Sequence, residues 1–199
     1  MPGVKRDLPV LAFKSRLAWD RWLASQPAGS KGLWLKLAKK SSGIASVSKA
    51  DAIDTALCHG WIDGQLDRFD EDFWLIRFTP RQAASKWSEK NRARALQLVE
   101  LDRMQPAGLE QIERAKKDGR WDAAYAPQSV AQIPPDLRDA LAKDKWAARF
   151  FETLDSHNRY AILYRLQDAK KPETRAARLE KFVAMLIEGK TIYPLKTRR

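Results

Sequence analysis

The chain has 199 residues, 44% of them apolar and 31% charged. It is long enough to bury a core without covalent staples and too apolar for a disordered chain. The net charge of +12 is spread evenly, with 17 basic and 11 acidic side chains in residues 1–100 and 20 and 14 in 101–199. An even spread permits salt-sensitive attraction to polyanions but supplies no basic arm. The single cysteine excludes an intrachain disulfide, no Cys/His group has zinc spacing, and no cofactor motif occurs, so no cofactor or metal is expected. The apolar run "LPVLAF" ends at Lys14, too short for a signal-peptide core, and no later run approaches a membrane span. A cytoplasmic protein without membrane insertion is the expectation.

In chain order, "SRLAWDRWLASQ" (15–26) has helical spacing and is closed by Pro27 and Gly29. "GLWLKLAKKSSG" then alternates as a half-buried strand, with Leu33, Leu35 and Leu37 on one side and Trp34 and Lys36 on the other. Ser48 is placed to cap a helix over "KADAIDTALCH", and Gly60 to end it in the left-handed conformation. From Trp61 the period becomes two. Trp61, Asp63 and Gln65 are expected on one face, with Ile62 and Leu66 on the other. "DEDFWLIRFTPR" supplies the returning strand of an antiparallel hairpin, with Trp74, Ile76 and Phe78 on its inner side. Ser88 caps the next helix, and Leu109, Ile112 and Ala115 mark the inner side of the one that stops at Gly119. Residues 120–135 hold three prolines and lack periodicity. Beyond them Trp146, Phe150 and Leu154, then Ala176, Leu179, Val183 and Leu186, continue in helical spacing, and Gly189 ends the last helix.

The pattern predicts an α+β fold: a small, mainly antiparallel sheet packed with helices, followed by a C-terminal helical bundle. The expected division is an α+β domain over 1–120, a linker over 121–135, a helical module over 136–189 and a basic tail over 190–199. No internal repeat is evident.

"ALCHGWIDGQ" (56–65) sets the only cysteine beside one of two histidines, which raises a nucleophilic reading. Adjacent helical residues point about 100° apart, so Cys58 and His59 are badly placed to meet, and a thiolate needs its base within hydrogen-bond reach. Cys58 is better read as a small buried hydrophobe at a helix stop. His157, the other histidine, lies far along the chain.

Several blocks in order carry a family resemblance: "GLWLKLAKK", "ALCHGWIDGQ", "WLIRFTPRQAASKWSEKN", "MQPAGLEQIERAKKDGRW" and "AKKPETRAARLEKFVAMLIEGK". Together they resemble the bacterial YdeI/OmpD-associated family, and the last resembles its helical bacteriocin-protection module. The resemblance spans about residues 10 to 194. It implies a role in bacterial stress and antimicrobial resistance. It implies no reaction, and His59 stands where an aromatic is usual in the family.

Two groups of residues are candidates for binding. If the leucine face packs under helices, the open sheet face presents Trp34, Lys36, Trp61, Asp63, Gln65 and Arg77. Aromatic walls with Lys36 and Arg77 as anchors suit a small anionic ligand or a protein partner. The competing reading is a cross-strand salt-bridge network in which Asp63 neutralises the two cations. The second group lies in residues 77–94, which carry six basic residues and one acidic. Here Trp87 could stack on a base, while Ser88 and Arg92 receive a phosphate at a helix start, a nucleic-acid or polyanion reading set against a plain capped surface helix. A third alternative makes Asp63 a general base, but Lys36 and Arg77 beside it would make it less basic. The turn "DGQLDRFDED" lacks the glycine and glutamate of a calcium loop. The tail "KTRR" reads as a solvated end.

Overall fold

The computed structural model describes residues 7–27, 29–128 and 130–195, so the tail "KTRR" lies outside the described residues. The chain divides into two compact units, Met1–Ala124 and Tyr125–Arg199. The architecture is α+β, with a mainly antiparallel sheet in the first unit and helices alone in the second.

The first unit runs β1 (Val10–Ala12), α1 (Arg16–Ala24), β2 (Leu33–Ala38), α2 (Lys49–Cys58), β3 (Trp61–Arg68), β4 (Phe73–Pro80), α3 (Glu89–Glu100) and α4 (Pro106–Lys117). The sheet order is β1-β2-β4-β3, with β1 parallel to β2 and the other pairs antiparallel. Periodicity had not marked β1 as a strand; "LPVLAF" supplies it as a short parallel edge. The hairpin β3–β4 forms as the alternation predicts.

Leu33, Leu35 and Leu37 share one face, and Ile76 and Phe78 lie opposite them on β4. Trp19 and Leu23 of α1 and Ala52 and Ala56 of α2 close over this face to make the first core. Phe13, Trp19 and Trp22 cluster at ring-centroid separations of 5.2–5.8 Å. Trp19 Nε1 donates to the Ala52 carbonyl at 3.1 Å, so its one polar atom is satisfied inside the core.

A second core lies where α2, α3 and α4 meet, built from Leu57, Cys58, Trp87, Ala95, Leu98, Ile112, Ala115 and Trp121. Two devices bring these helices together. The buried carboxylate of Asp54 on α2 is gripped in a fork by Arg94 of α3. Gly108 of α4 sits directly against the Cys58 carbonyl, where a Cβ would have no room. The inner side of α4 is therefore Gly108, Ile112 and Ala115, and Leu109 is 42% exposed. The expected inward Leu109 is corrected: the glycine, with no side chain, sets the seam.

The caps follow the sequence. Ser48 accepts from Asp51 N at 3.0 Å and Ser88 from Asn91 N at 3.1 Å. Gly60 ends α2 at φ 73° and donates to the Leu57 carbonyl.

The second unit comprises α5 (Pro135–Ala142), α6 (Lys145–Thr153), α7 (Ser156–Gln167) and α8 (Pro172–Ile187). Leu137, Leu141, Phe151, Ile162, Leu166, Phe182 and Leu186 form its core. On α6 Ala147 and Phe151 are buried; of the spaced set Trp146, Phe150 and Leu154, Leu154 lies in the core, Phe150 packs partly against it and Trp146 is 62% exposed. Arg175 of α8 grips Asp136 of α5 through Nε and Nη2 at 2.6 and 2.8 Å. The buried amide of Asn158 on α7 bonds both the backbone N–H and the carbonyl of Tyr193, at 2.8 and 3.1 Å. This pair of hydrogen bonds holds the segment after α8 against α7. Among the described residues, no helix is long and apolar enough to cross a membrane.

Candidate functional site

Cys58 and His59 take separate roles. Cys58 is buried in the second core, and burial first of all pushes its thiol above the ordinary value, which disfavours the thiolate. His59, one residue beyond the end of α2, turns to α1 and meets Asp20 Oδ1 through Nε2 at 2.9 Å. His157 lies in the second unit with its ring 4.4 Å from that of Tyr193. The 56–65 stretch is a helix end followed by a strand start.

The six residues expected on one open sheet face are divided by the register. Trp34 pairs with Arg77, so these two share a face with Lys36. Asp63 pairs with Phe78, which faces the first core, and Trp61 lies two residues before it on the same side. Trp61 is 4% exposed and packs edge-on against Trp22 at 5.6 Å. A bulge falls between Asp63 and Leu66, where Gln65 stands exposed. A shift of one residue moves a side chain to the other face, and hairpin register is set by turn and bulge geometry that alternation does not encode. Of the expected inner pair, Ile62 is corrected for the same reason, since it pairs with Thr79 on the outer side, whereas Leu66 keeps the inner register opposite Ile76 but is 56% exposed.

The cations on the Trp34 face have partners, but not Asp63. Lys36 Nζ sits 4.3 and 3.9 Å from the Phe69 and Phe73 ring centroids and 3.7 Å from Asp70. Arg77 is 3.6 Å from Asp7. Trp34 is 1% exposed, which leaves no aromatic wall to a ligand. These contacts describe a structural network.

The 77–94 group is also engaged. Trp87 is 2% exposed, stacked under the Arg81 guanidinium at 3.7 Å and edge-on to Trp121 at 4.9 Å. Stacking of Trp87 on a base is thereby corrected. Ser88 is occupied as the α3 cap, and Arg92 Nη1 donates to the Trp121 carbonyl at 3.0 Å.

A groove of about 700 Å³ lies instead on the second unit, lined by residues of α7, α8 and the 192–193 segment. Its apolar lining is Tyr164, Phe182, Met185, Ile192 and Tyr193. Its cations are Arg165, Arg178 and Lys181, against one carboxylate, Asp168. Arg165 is fixed by donation to the Ala161 carbonyl at 3.0 Å and the Tyr193 hydroxyl at 3.1 Å. Arg178 is fixed by the Arg165 carbonyl at 2.6 Å and lies 3.6 Å from Asp168. Lys181 is exposed and has no ion-pair partner among the described residues. Asn158, through its hold on Tyr193, fixes the groove's far wall.

The groove combines tyrosine and methionine surface for apolar contact with two guanidinium groups, Arg165 and Arg178, whose positions are set by hydrogen bonds, and one exposed ammonium, Lys181. The sequence holds one signal for it. Arg178, Lys181, Phe182 and Met185 fall at i, i+3, i+4 and i+7 on α8, with Phe182 buried in the core and the other three flanking it at the groove. Among the described residues, no group of three or more His, Cys, Asp or Glu side chains could hold a metal ion.

Comparison with known families gives two matches. Residues 11–111 match a family described as a domain of unknown function, DUF8412. Residues 130–189 match the family described as bacteriocin-protection, YdeI or OmpD-associated, in agreement with the resemblance carried by "AKKPETRAARLEKFVAMLIEGK"; the four earlier blocks precede this match. No curated protein and no solved structure matches the chain.

Proposed function

We propose that this chain, which belongs to the DUF8412 family and carries a YdeI/OmpD-associated module over residues 130–189, serves stress or bacteriocin protection by binding a partner protein. The partner is recognised through an acidic segment with an apolar anchor, seated in the groove between α7 and α8. One observation carries this reading: Arg165, Arg178 and Lys181 surround an apolar lining of about 700 Å³ inside the module whose family description concerns protection. Carboxylates of the segment would pair with the fixed guanidinium groups, and its apolar side chain would cover Met185 and Tyr193.

The test is a selection of random twelve-residue peptides displayed against the full chain. Enrichment of Asp and Glu around an aromatic or aliphatic residue is expected, with the enrichment lost against Lys181→Glu. Because Lys181 is exposed and unpaired, that substitution leaves the fold intact. Enriched peptides without acidic character, or peptides retained equally by the variant, would overturn the assignment.

A further inference from the structure

We propose that the first unit carries a second and independent site, a cleft at the end of β2 that takes a nucleoside phosphate, free or as a unit of a single strand. The cleft holds about 340 Å³ and is lined by Lys39, Lys40, Ile44, Ser46, Lys49 and Trp74 among others. Three features give it this chemistry.

The first is charge. Three lysines line the cleft, and no lining residue is acidic. Lys39 Nζ donates to the carbonyls of Asp70 and Glu71 at 2.9 and 2.7 Å, which fixes the ammonium at the rim and leaves one of its three donors. Lys40 has no ion-pair partner among the described residues, and Lys49 has only the Trp74 ring, at 5.5 Å. Two neighbouring carboxylates are turned to other partners: Asp51 Oδ2 accepts from the Ser48 hydroxyl at 2.7 Å, and Asp70 Oδ1 accepts from the N–H groups of Asp72 and Phe73. Three lysines without a counter-charge match a phosphate dianion or diphosphate.

The second is the aromatic wall. Trp74 is half-buried, packed against the first core and facing the cleft. Lys49 lies over the ring at a distance where the attraction is weak, so its flexible ammonium can move to a phosphate and free the ring for a flat base. Ile44, 44% exposed, faces the same cleft and supplies a second apolar contact. The third is shape. Gly43 takes φ 67° after the short 3-10 turn Lys40–Ser42, which folds the loop back so that Lys40 and Ile44 both reach the cleft.

The hydroxyl of Ser48 is committed to the α2 cap, so the start of that helix is not the anion's principal holder. The cleft is also separate from the 77–94 segment. Its ligand class is set by a lysine cluster and a stacking surface on different elements.

The full chain, freed of nucleic acid, is titrated by calorimetry with ADP, adenosine, inorganic pyrophosphate and the octanucleotide dA8. ADP binding that is saturable is expected. Adenosine should be weaker by about tenfold or more through loss of the charge-assisted bonds, and pyrophosphate by a similar factor through loss of stacking. Lys40→Ala with Lys49→Ala should weaken ADP about tenfold, with the thermal unfolding midpoint unchanged because both side chains are exposed. Tighter binding of dA8 than ADP, steeply salt-dependent and lost in the same double variant, identifies the strand as the natural source. Pyrophosphate equal to ADP, ADP affinity unmoved by the double variant, or no saturation by either ADP or dA8 overturns the proposal.

Discussion

Gly108→Ala isolates the contact that joins α4 to α2. In an unconstrained helix interior the change stabilises, by up to about 1 kcal/mol, because alanine is the better helix former. Here the added Cβ would lie 2.3 Å from the Cys58 carbonyl oxygen and 2.5 Å from Met104 Sδ. The thioether can rotate away. The carbonyl cannot, since it is fixed in the last turn of α2 and accepts from Gln105 N at 3.1 Å. Relief to an ordinary carbon–oxygen contact near 3.3 Å requires α4 to move by roughly 1 Å. That movement pulls Ile112 and Ala115 off Leu57 and Cys58, an overpacking penalty of about 1–3 kcal/mol. The net expectation is a loss of about 1–2 kcal/mol and a fall in unfolding midpoint of roughly 3–8 °C for a unit of this size. Thermal unfolding followed by tryptophan fluorescence reads it directly, because Trp87 and Trp121 lie in the same core. Gly43→Ala is the control: its φ is 67° with nothing within 4 Å, so it should cost about 1 kcal/mol from conformation alone. A neutral or stabilising Gly108→Ala would refute the close-approach account.

Other expected outcomes follow from burial and charge. Cys58, enclosed and with its thiol pushed up by burial, should resist iodoacetamide at pH 8 in the native protein and react once the chain is unfolded; rapid native labelling would reopen the nucleophile reading. Asp136 is held below the usual carboxylate range, chiefly by its hydrogen bond from Arg175. A depressed acid contributes stability that is present above its unfolded value, about 3.9, and is lost as pH falls through the folded one. Asp136→Asn should therefore lower stability at pH 7 by about 1 kcal/mol, a figure kept small because the pair is a third exposed, and should flatten the loss below about pH 4. An unchanged acid limb in urea titrations would contradict this. Leu166→Ala, at 0% exposure in the helical core, should cost about 2–5 kcal/mol in the same titrations.

The fold was legible where one residue type has one local consequence. Leu33, Leu35 and Leu37 alternate and line one face; Ser48 and Ser88 cap; Gly60 ends its helix with positive φ. What could not be read was set by partners distant in sequence. The bulge between Asp63 and Leu66 changes which residues face the core, so Trp61 and Asp63 part from Trp34 and Lys36. Lys36 meets Asp70 and two phenylalanines because the hairpin folds back over it. One helix seam depends on a small residue: Gly108 sets the inner side of α4 and leaves Leu109 turned out. The α7/α8 groove was harder still. Its α8 residues share a helix face, but Tyr193 joins the groove through Asn158 and Arg165, 35 and 28 positions earlier.

The most direct measurement is survival under a panel of bacteriocins for bacterial cells expressing the full chain or its Lys181→Glu variant at equal abundance. The groove account predicts that the wild-type chain protects and that the variant, with an unchanged unfolding midpoint, does not. Equal survival of the two would contradict it.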